Sequence, residues 1–419
     1  MKKQFLTNLA VLTSIWLIVA GCSDVAEYVT GEDDLKPTEL QVFRPALPVK
    51  LVWSRQLNAV TERYENRLDP VEIDGVIYLA EPEGRIVAHD AANGRMLWEI
   101  LLEVGITGGV GKAKDAILLG TEDAEVIAMD LKDGHIKWTA KVSSEIMAPP
   151  KMIDDLVIIY SVDGVVTAIN SVSGNRVWVS HNAVPSLSLY GTSIPLIADD
   201  MVITGHANGK LVALDIRSGK KIWETTIAVP RGRSELARIV DLDSGMTLLN
   251  GVIYVASYQG QLAAVDQKSG QINWVRELSS YQDIEIADSH IYIIDIKSQV
   301  WALDIQSGAT LWRQDKLKGR YVTSPVVQNE YVIVGDFEGF VHWLSREDGH
   351  MLARQNLELA KTAAYISGSV YLDDDSEVGD IDFKVIAGIL ATPLVVYNMV
   401  YVLDKGGVLA AYRVGEGSR

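Results

Sequence analysis

The chain is short of the residues that build catalytic and metal centres, with 1 cysteine and 7 histidines among 419 residues. A single cysteine excludes an intrachain disulfide and any metal site assembled from several thiolates. No His-x-x-x-His pair, Gly-x-Ser-x-Gly elbow or phosphate-binding glycine loop occurs. Positive charge is scarce too: 38 Lys and Arg stand against 55 Asp and Glu, a formal charge of −17. A surface that tracks phosphates needs the opposite balance, which argues against nucleic-acid binding. Beyond the N-terminus no apolar run reaches the roughly 18 residues that span a bilayer, which excludes a polytopic membrane protein. What is present is a 48% hydrophobic chain of 419 residues, too apolar to be disordered. One compact core usually stops growing near ~250–300 residues, so two domains or one repeat-built domain is expected.

The first residues read as an address. Lys2 and Lys3 precede an apolar stretch that includes Leu9, Val11, Leu12, Ile15, Trp16, Leu17, Ile18 and Val19. That is the layout of a secretory signal peptide. It ends in Val19-Ala20-Gly21-Cys22, which resembles the bacterial lipobox. The resemblance implies cleavage after residue 21 and diacylation of Cys22, the only cysteine. The alternative is an ordinary signal peptide with a coincidental cysteine. Ser23 after the cysteine implies release to the outer membrane, and Asp24 leaves retention in the inner membrane open. Residues 22–48 carry Gly31-Glu32-Asp33-Asp34 and prolines 37, 45 and 48, and read as a tether rather than a core.

The body is a repeat. Six copies of Ala-x-Asp/Asn-x-x-x-Gly-x-x-x-Trp end at Trp98, Trp138, Trp178, Trp223, Trp274 and Trp312. Their spacings are 40, 40, 45, 51 and 38 residues. A seventh, degenerate copy has Trp343, Ser345, Gly349 and Ala353, and an eighth begins at Ala410 and Tyr412. A period of this size built from short β-branched runs is the signature of a β-propeller. The fourth unit shows the pattern: Met201–Gly205, a turn at Ala207-Asn208-Gly209, then Lys210-Leu-Val-Ala-Leu214 and a Trp223 strand. The Asp caps turn amides, the Gly supplies positive φ, and the Trp offers a broad face to the next unit. These residues are therefore structural.

The eighth unit lacks a closing Trp strand, and Leu51-Val-Trp53-Ser is a closing strand without a unit. Joining them gives an all-β, eight-bladed propeller over residues 49–415, closed by its N-terminal strand. Seven blades with a separate N-terminal piece is the competing count.

Loop lengths single out one face. From each Trp to the next repeat anchor the distance is 19, 19 and 17 residues in three units. It is 24 from Trp178 to Val202, 30 from Trp223 to Ile253, and 46 from Ala353 to Met399. Two neighbouring long loops, 183–195 and 228–246, form a pair of protrusions where function tends to reside. The first holds Leu187, Leu189 and Tyr190 among Pro, Ser and Gly; the second mixes Arg231, Arg233, Asp241 and Asp243 with apolar residues, as partner surfaces do. Leu187 and Leu189 tucked under their own loop is the other reading.

The repeat resembles the tryptophan-docking motif of pyrroloquinoline-quinone (PQQ) dehydrogenases, and equally the BamB family of outer-membrane assembly lipoproteins. The two share a fold, so the site must decide. PQQ alcohol dehydrogenases use adjacent cysteines, a calcium and a catalytic Asp; here the lone Cys22 is consumed by lipid. The acidic run Asp373–Asp380 has Val378 where a calcium loop needs Gly and Lys384 where it needs Glu, so it reads as a solvated loop. Pro185-Ser-Leu-Ser-Leu-Tyr-Gly191 and Asp241-Leu-Asp243 are similar to BamB segments. That resemblance implies a non-enzymatic scaffold without metal or cofactor. It implies docking through Leu187, Leu189, Tyr190, Asp241 and Asp243 onto the POTRA region of BamA, the barrel-inserting subunit, and so contact with the rest of that complex. Unfolded barrel clients bound at a blade edge are a further possibility. Tyr190 departs from the family's Arg, which puts a charge contact there in doubt. The alternatives are a PQQ-dependent dehydrogenase and a lipoprotein module with a different partner.

Overall fold

The computed structural model describes residues 36–57, 68–185, 192–230, 239–242, 244–357, 388–389 and 391–415. They form eight four-stranded antiparallel sheets. Seven run in chain order from an inner three-residue or longer strand to an outer strand that ends each repeat. The eighth joins Leu394–Val396, Met399–Leu403 and Val408–Val414 to Val49–Gln56 from the other end of the chain. The expected closure is therefore the one observed, and inner strands Val71–Ile73 and Leu394–Val396 meet across the seam. Among the described residues no helix is long and apolar enough to cross a membrane.

The repeat motif explains why blades stack. Seven Trp side chains, Trp53, Trp98, Trp138, Trp178, Trp223, Trp274 and Trp312, each donate their indole N–H to a backbone carbonyl on the following blade, at 2.8–3.3 Å. Each ring lies over the motif glycine of that blade, from Gly94 to Gly349, whose φ is +67° to +75°. A side chain there would meet both the ring and the left-handed backbone cost. The motif acid does the local work expected of it. Asp215, Asp266 and Asp304 accept the backbone N–H of Ser218, Ser269 and Ser307 at 2.8–2.9 Å.

In every blade the Trp is paired across strands with an alanine, as in Ala168 with Trp178 and Ala411 with Trp53. In the seventh blade the pair is inverted: Trp343 stands on the third strand and Ala353 on the outer one. What reads as decay in the sequence is thus a swap that conserves the pair's volume. Trp343 is fully buried and meets Tyr412 edge-on at 5.9 Å. Its indole N–H, unlike the seven others, has no acceptor among the described residues.

The structure corrects the tether. Its last part, from residue 36, packs along the seventh blade instead of standing free. Thr38 N–H donates to Lys318 O at 2.9 Å, and Ala46 and Leu47 both donate to Leu352 O. Leu47 is buried in the cluster that contains Trp343 and Tyr412. It fills space at the junction where the outer strand carries Ala353 instead of a Trp. Arg320, 2% exposed, donates to Thr38 O at 3.1 Å and pairs with fully buried Asp336 at 2.8 Å. Arg354 donates to Gln41 O and sits between the rings of Phe43 and Phe340. Burial works against the Asp336 charge, but His342 and Arg320 hold the carboxyl below its ordinary range. Pro37, Pro45 and Pro48 lack an N–H to offer a strand ladder, and the segment docks through its other N–H groups and its carbonyls before the first strand begins at residue 49.

Candidate functional site

The two long loops leave and re-enter the ring around one hairpin turn of the fourth blade, 206–209. From the first loop, Ala183 O accepts from the Asn208 amide at 3.4 Å. Ser193, fully buried, accepts Gly205 N–H through Oγ at 2.9 Å and donates to Gly205 O at 3.0 Å. From the second, Ile227 and Ala228 donate to Gly209 O, and Val240 forms a parallel bridge to Asn208. Leu242 is fully buried against Gly205, where a Cβ would sit 2.7 Å from the Leu242 Cβ. Ser244 donates to Ala256 O at 2.8 Å, and Gly245 N–H donates to the Asp283 carboxylate at 2.5 Å.

The turn itself is stiffened from below. His206 is 2% exposed and bridges two blades, with Nδ1 2.8 Å from the Tyr160 hydroxyl and Nε2 3.0 Å from Thr204 Oγ1. Burial pushes its pKa down to about 4, opposed by Glu224 and aided by Lys210. The imidazole is therefore neutral at pH 7 and serves as a hydrogen-bond strut. The described stems of both loops bond this one turn.

Of the expected contact residues, Leu187, Leu189, Tyr190 and Asp243 lie outside the described residues, as does the acidic run 373–380. Asp241 is described and is 1% exposed. Its backbone carbonyl accepts Tyr258 N–H at 2.9 Å. Asp241 is thus part of the loop's root and not of its outer surface, which differs from the expectation of a direct contact. The reason is local: Val240-Asp241-Leu242 is drawn under the turn by Leu242, and a carboxylate between two buried residues follows them inward.

Sequence reasoning missed the platform. His206 carries no motif, and its partner Tyr160 is 46 residues away. The hydroxyl anchors were findable. Ser193, Ser244 and Thr323 each stand three residues before an inner strand, Leu196–Ala198, Thr247–Leu249 and Val326–Gln328, and each bonds the backbone of the neighbouring strand. A hydroxyl recurring at that offset is a periodic signal. One group of potential metal ligands, Asp130, Asp133 and His135, lies at an exposed turn of the second blade. Two of its members already bond each other, His135 Nδ1 to Asp133 at 2.7 Å, as a turn cap does.

Known proteins resemble the chain over nearly its full length. The family model described as outer membrane protein assembly factor BamB matches residues 82–314 and 285–382. The BamB of Pseudomonas aeruginosa is 40% identical over 405 residues, 97% of this chain and 98% of that protein. The Escherichia coli BamB is 33% identical over 368 residues, covering 85% and 92%. Among solved structures, BamB from Moraxella catarrhalis superposes with a TM-score of 0.73 at 26% identity, over 87% of this chain and 100% of that one. A quinohemoprotein alcohol dehydrogenase from Comamonas testosteroni reaches 0.65 at 14% identity, over 88% and 77%, a likeness of fold alone. The chain belongs to the BamB family of outer membrane protein assembly factors.

Proposed function

We propose that this chain is the scaffold that holds BamA in an outer-membrane assembly complex, using the face on which loops 183–195 and 228–246 emerge. Membership in the family makes the chain an outer membrane protein assembly factor, a role that is not catalytic. The finer reading adds the partner, the surface and the anchor. Lipid on Cys22 keeps the propeller at the periplasmic side of the outer membrane, because more than one acyl chain gives stable anchoring where one is marginal. Leu187, Leu189 and Tyr190 supply apolar contact, and Asp243 supplies charge. Asp241 acts one step back, as a root that sets the loop's path.

The observation that carries this reading is the convergence of both loop stems on the turn 206–209, braced by neutral His206. A preformed platform lets two loops present one surface at little entropic cost on binding. The test is co-purification of BamA with the solubilised full-length protein. Leu187→Asp and Leu189→Asp, each placing a charge in an apolar contact, should abolish it while melting curves stay unchanged. Undiminished BamA in the eluate of both variants sinks the proposal. Replacement of Cys22 by Ala should release the protein from membranes yet leave BamA capture in detergent intact.

A further inference from the structure

The junction between the second and third blades lacks a bond that four of the other junctions make. At four other junctions the side chain two residues past the docking Trp crosses to a motif-glycine carbonyl. Arg55 reaches Gly94, Thr225 reaches Gly270, Arg276 reaches Gly308 and Gln314 reaches Gly349. In the second blade this position is Ala140, which is too short and has no donor. This junction is also the one with the loosest Trp-to-glycine packing. A Cβ placed on Gly174 would lie 3.2 Å from the Trp138 ring, against 2.8 Å or less for the other six motif glycines.

Beside this junction, along the outer strand Arg176–His181, lies a cleft of about 540 Å³. Its charged and titratable lining is Lys141, Arg176 and His181, with no carboxylate. Lys141 has Glu125 at 3.4 Å, outside the lining. Arg176 is exposed and has no ion pair or hydrogen bond from its guanidinium among the described residues. Thr167, only 3% exposed, lines the cleft with a hydroxyl that finds no partner among the described residues. Val165 and Val179 give the cleft an apolar wall.

In a chain of charge −17, a lining without a single carboxylate is a local inversion of sign. An unpaired guanidinium is a fork shaped for a carboxylate, and the Thr167 hydroxyl can donate a hydrogen bond to the same group. The six-residue strand beside the cleft runs about 20 Å, the reach of an extended chain and not of a point ion. We propose that this cleft binds an extended acidic peptide segment, with a carboxylate on Arg176 and Thr167 and an aliphatic side chain against Val165 and Val179. The site is separate from the loop surface proposed for BamA and does not depend on it.

Fluorescence anisotropy of the detergent-solubilised full-length protein tests this, with a labelled ten-residue peptide of Glu, Leu and Ser and a counterpart in which Lys replaces Glu. The acidic peptide should bind saturably and the Lys peptide at least about tenfold more weakly, since a charge-assisted bond of this kind is worth about 1.5–3 kcal/mol. Arg176→Gln should weaken the acidic peptide by a similar factor, and Thr167→Val by several-fold, with melting curves unchanged. Arg176→Glu should reverse the preference between the two peptides. Leu189→Asp should leave binding as it was, which separates failure here from failure of the BamA surface. Equal binding of both peptides, or full binding by Arg176→Gln, overturns the proposal. Displacement of the acidic peptide by equimolar inorganic phosphate also overturns it, by reducing the cleft to a site for small anions.

Discussion

The tightest physical claim concerns the contact between each docking Trp and the glycine beneath it. Gly308 and Gly251 both have positive φ, +68° and +77°. At Gly251 nothing lies within 4 Å of an added Cβ, whereas at Gly308 the Cβ would fall 2.8 Å from Trp274 Cζ3 and 3.0 Å from Cε3. Both alanine variants carry the left-handed backbone cost, about 1–2 kcal/mol. Gly308→Ala adds overpacking, about 1–3 kcal/mol, because the Trp274 ring is not free to retreat. That ring is held by its bond to Ile305 O at 3.3 Å and by Tyr254 at 6.1 Å. Gly308→Ala should therefore cost roughly 2–5 kcal/mol and Gly251→Ala only about 1–2, read from urea midpoints at constant slope. In a Trp274→Leu background the extra cost of Gly308→Ala should vanish, a coupling of at least about 1 kcal/mol. Equal costs for the two glycines, within about 0.5 kcal/mol, would refute the reasoning, and so would additivity with Trp274→Leu.

Three further outcomes follow from the buried titratable groups. His206 has a folded pKa of about 4 against an ordinary 6.5, so the unfolded chain takes up the proton first. Its contribution is complete above pH 6.5 and is lost as pH falls toward 4, by about 3 kcal/mol; His206→Phe should flatten the urea midpoint between pH 7 and pH 4.5, and an unchanged slope contradicts this. Glu285 moves the other way, pushed up to about 7 by burial against a weaker opposing bond to Val327. Its neutral form favours the fold, and stability declines by up to about 3 kcal/mol as pH rises from 4.5 to 7, so Glu285→Gln should gain more over the parent at pH 8 than at pH 5. Arg320→Met strips the buried Asp336 of its guanidinium and should cost about 3–5 kcal/mol. It should also expose the 36–48 segment to limited proteolysis, and an unaltered cleavage pattern would show that Arg320 does not hold it.

Most of the architecture was legible because each blade writes its own instructions within about 40–50 residues. The repeating Trp and Gly positions, the capping acids and the closure of the ring by Trp53 are all local patterns or simple counts of missing pieces, whereas the seating of each Trp on the next blade's glycine emerged only in the structure. The seventh blade shows where that reading fails. Ala353 in a Trp position looks like a lost contact, and only strand pairing reveals that Trp343 has taken the other half of the pair. The candidate site was legible as loop length and apolar content, but its support was not.

The sequence by itself determined the repeat, the blade number, the closing strand and the family, since these rest on periodicity and on residues whose partners are fixed by the same repeat. Tertiary structure alone decided three things. It placed Asp241 inside the root of its loop, because burial of its neighbours outweighs the preference of one carboxylate for water. It joined Tyr160 to His206 across two blades, setting a neutral histidine beneath the loops. It laid residues 36–48 along the seventh blade, where Arg320 and Arg354 meet carbonyls about three hundred residues away in the chain. Contacts at such separation carry no sequence period, and only the closed ring brings them within reach.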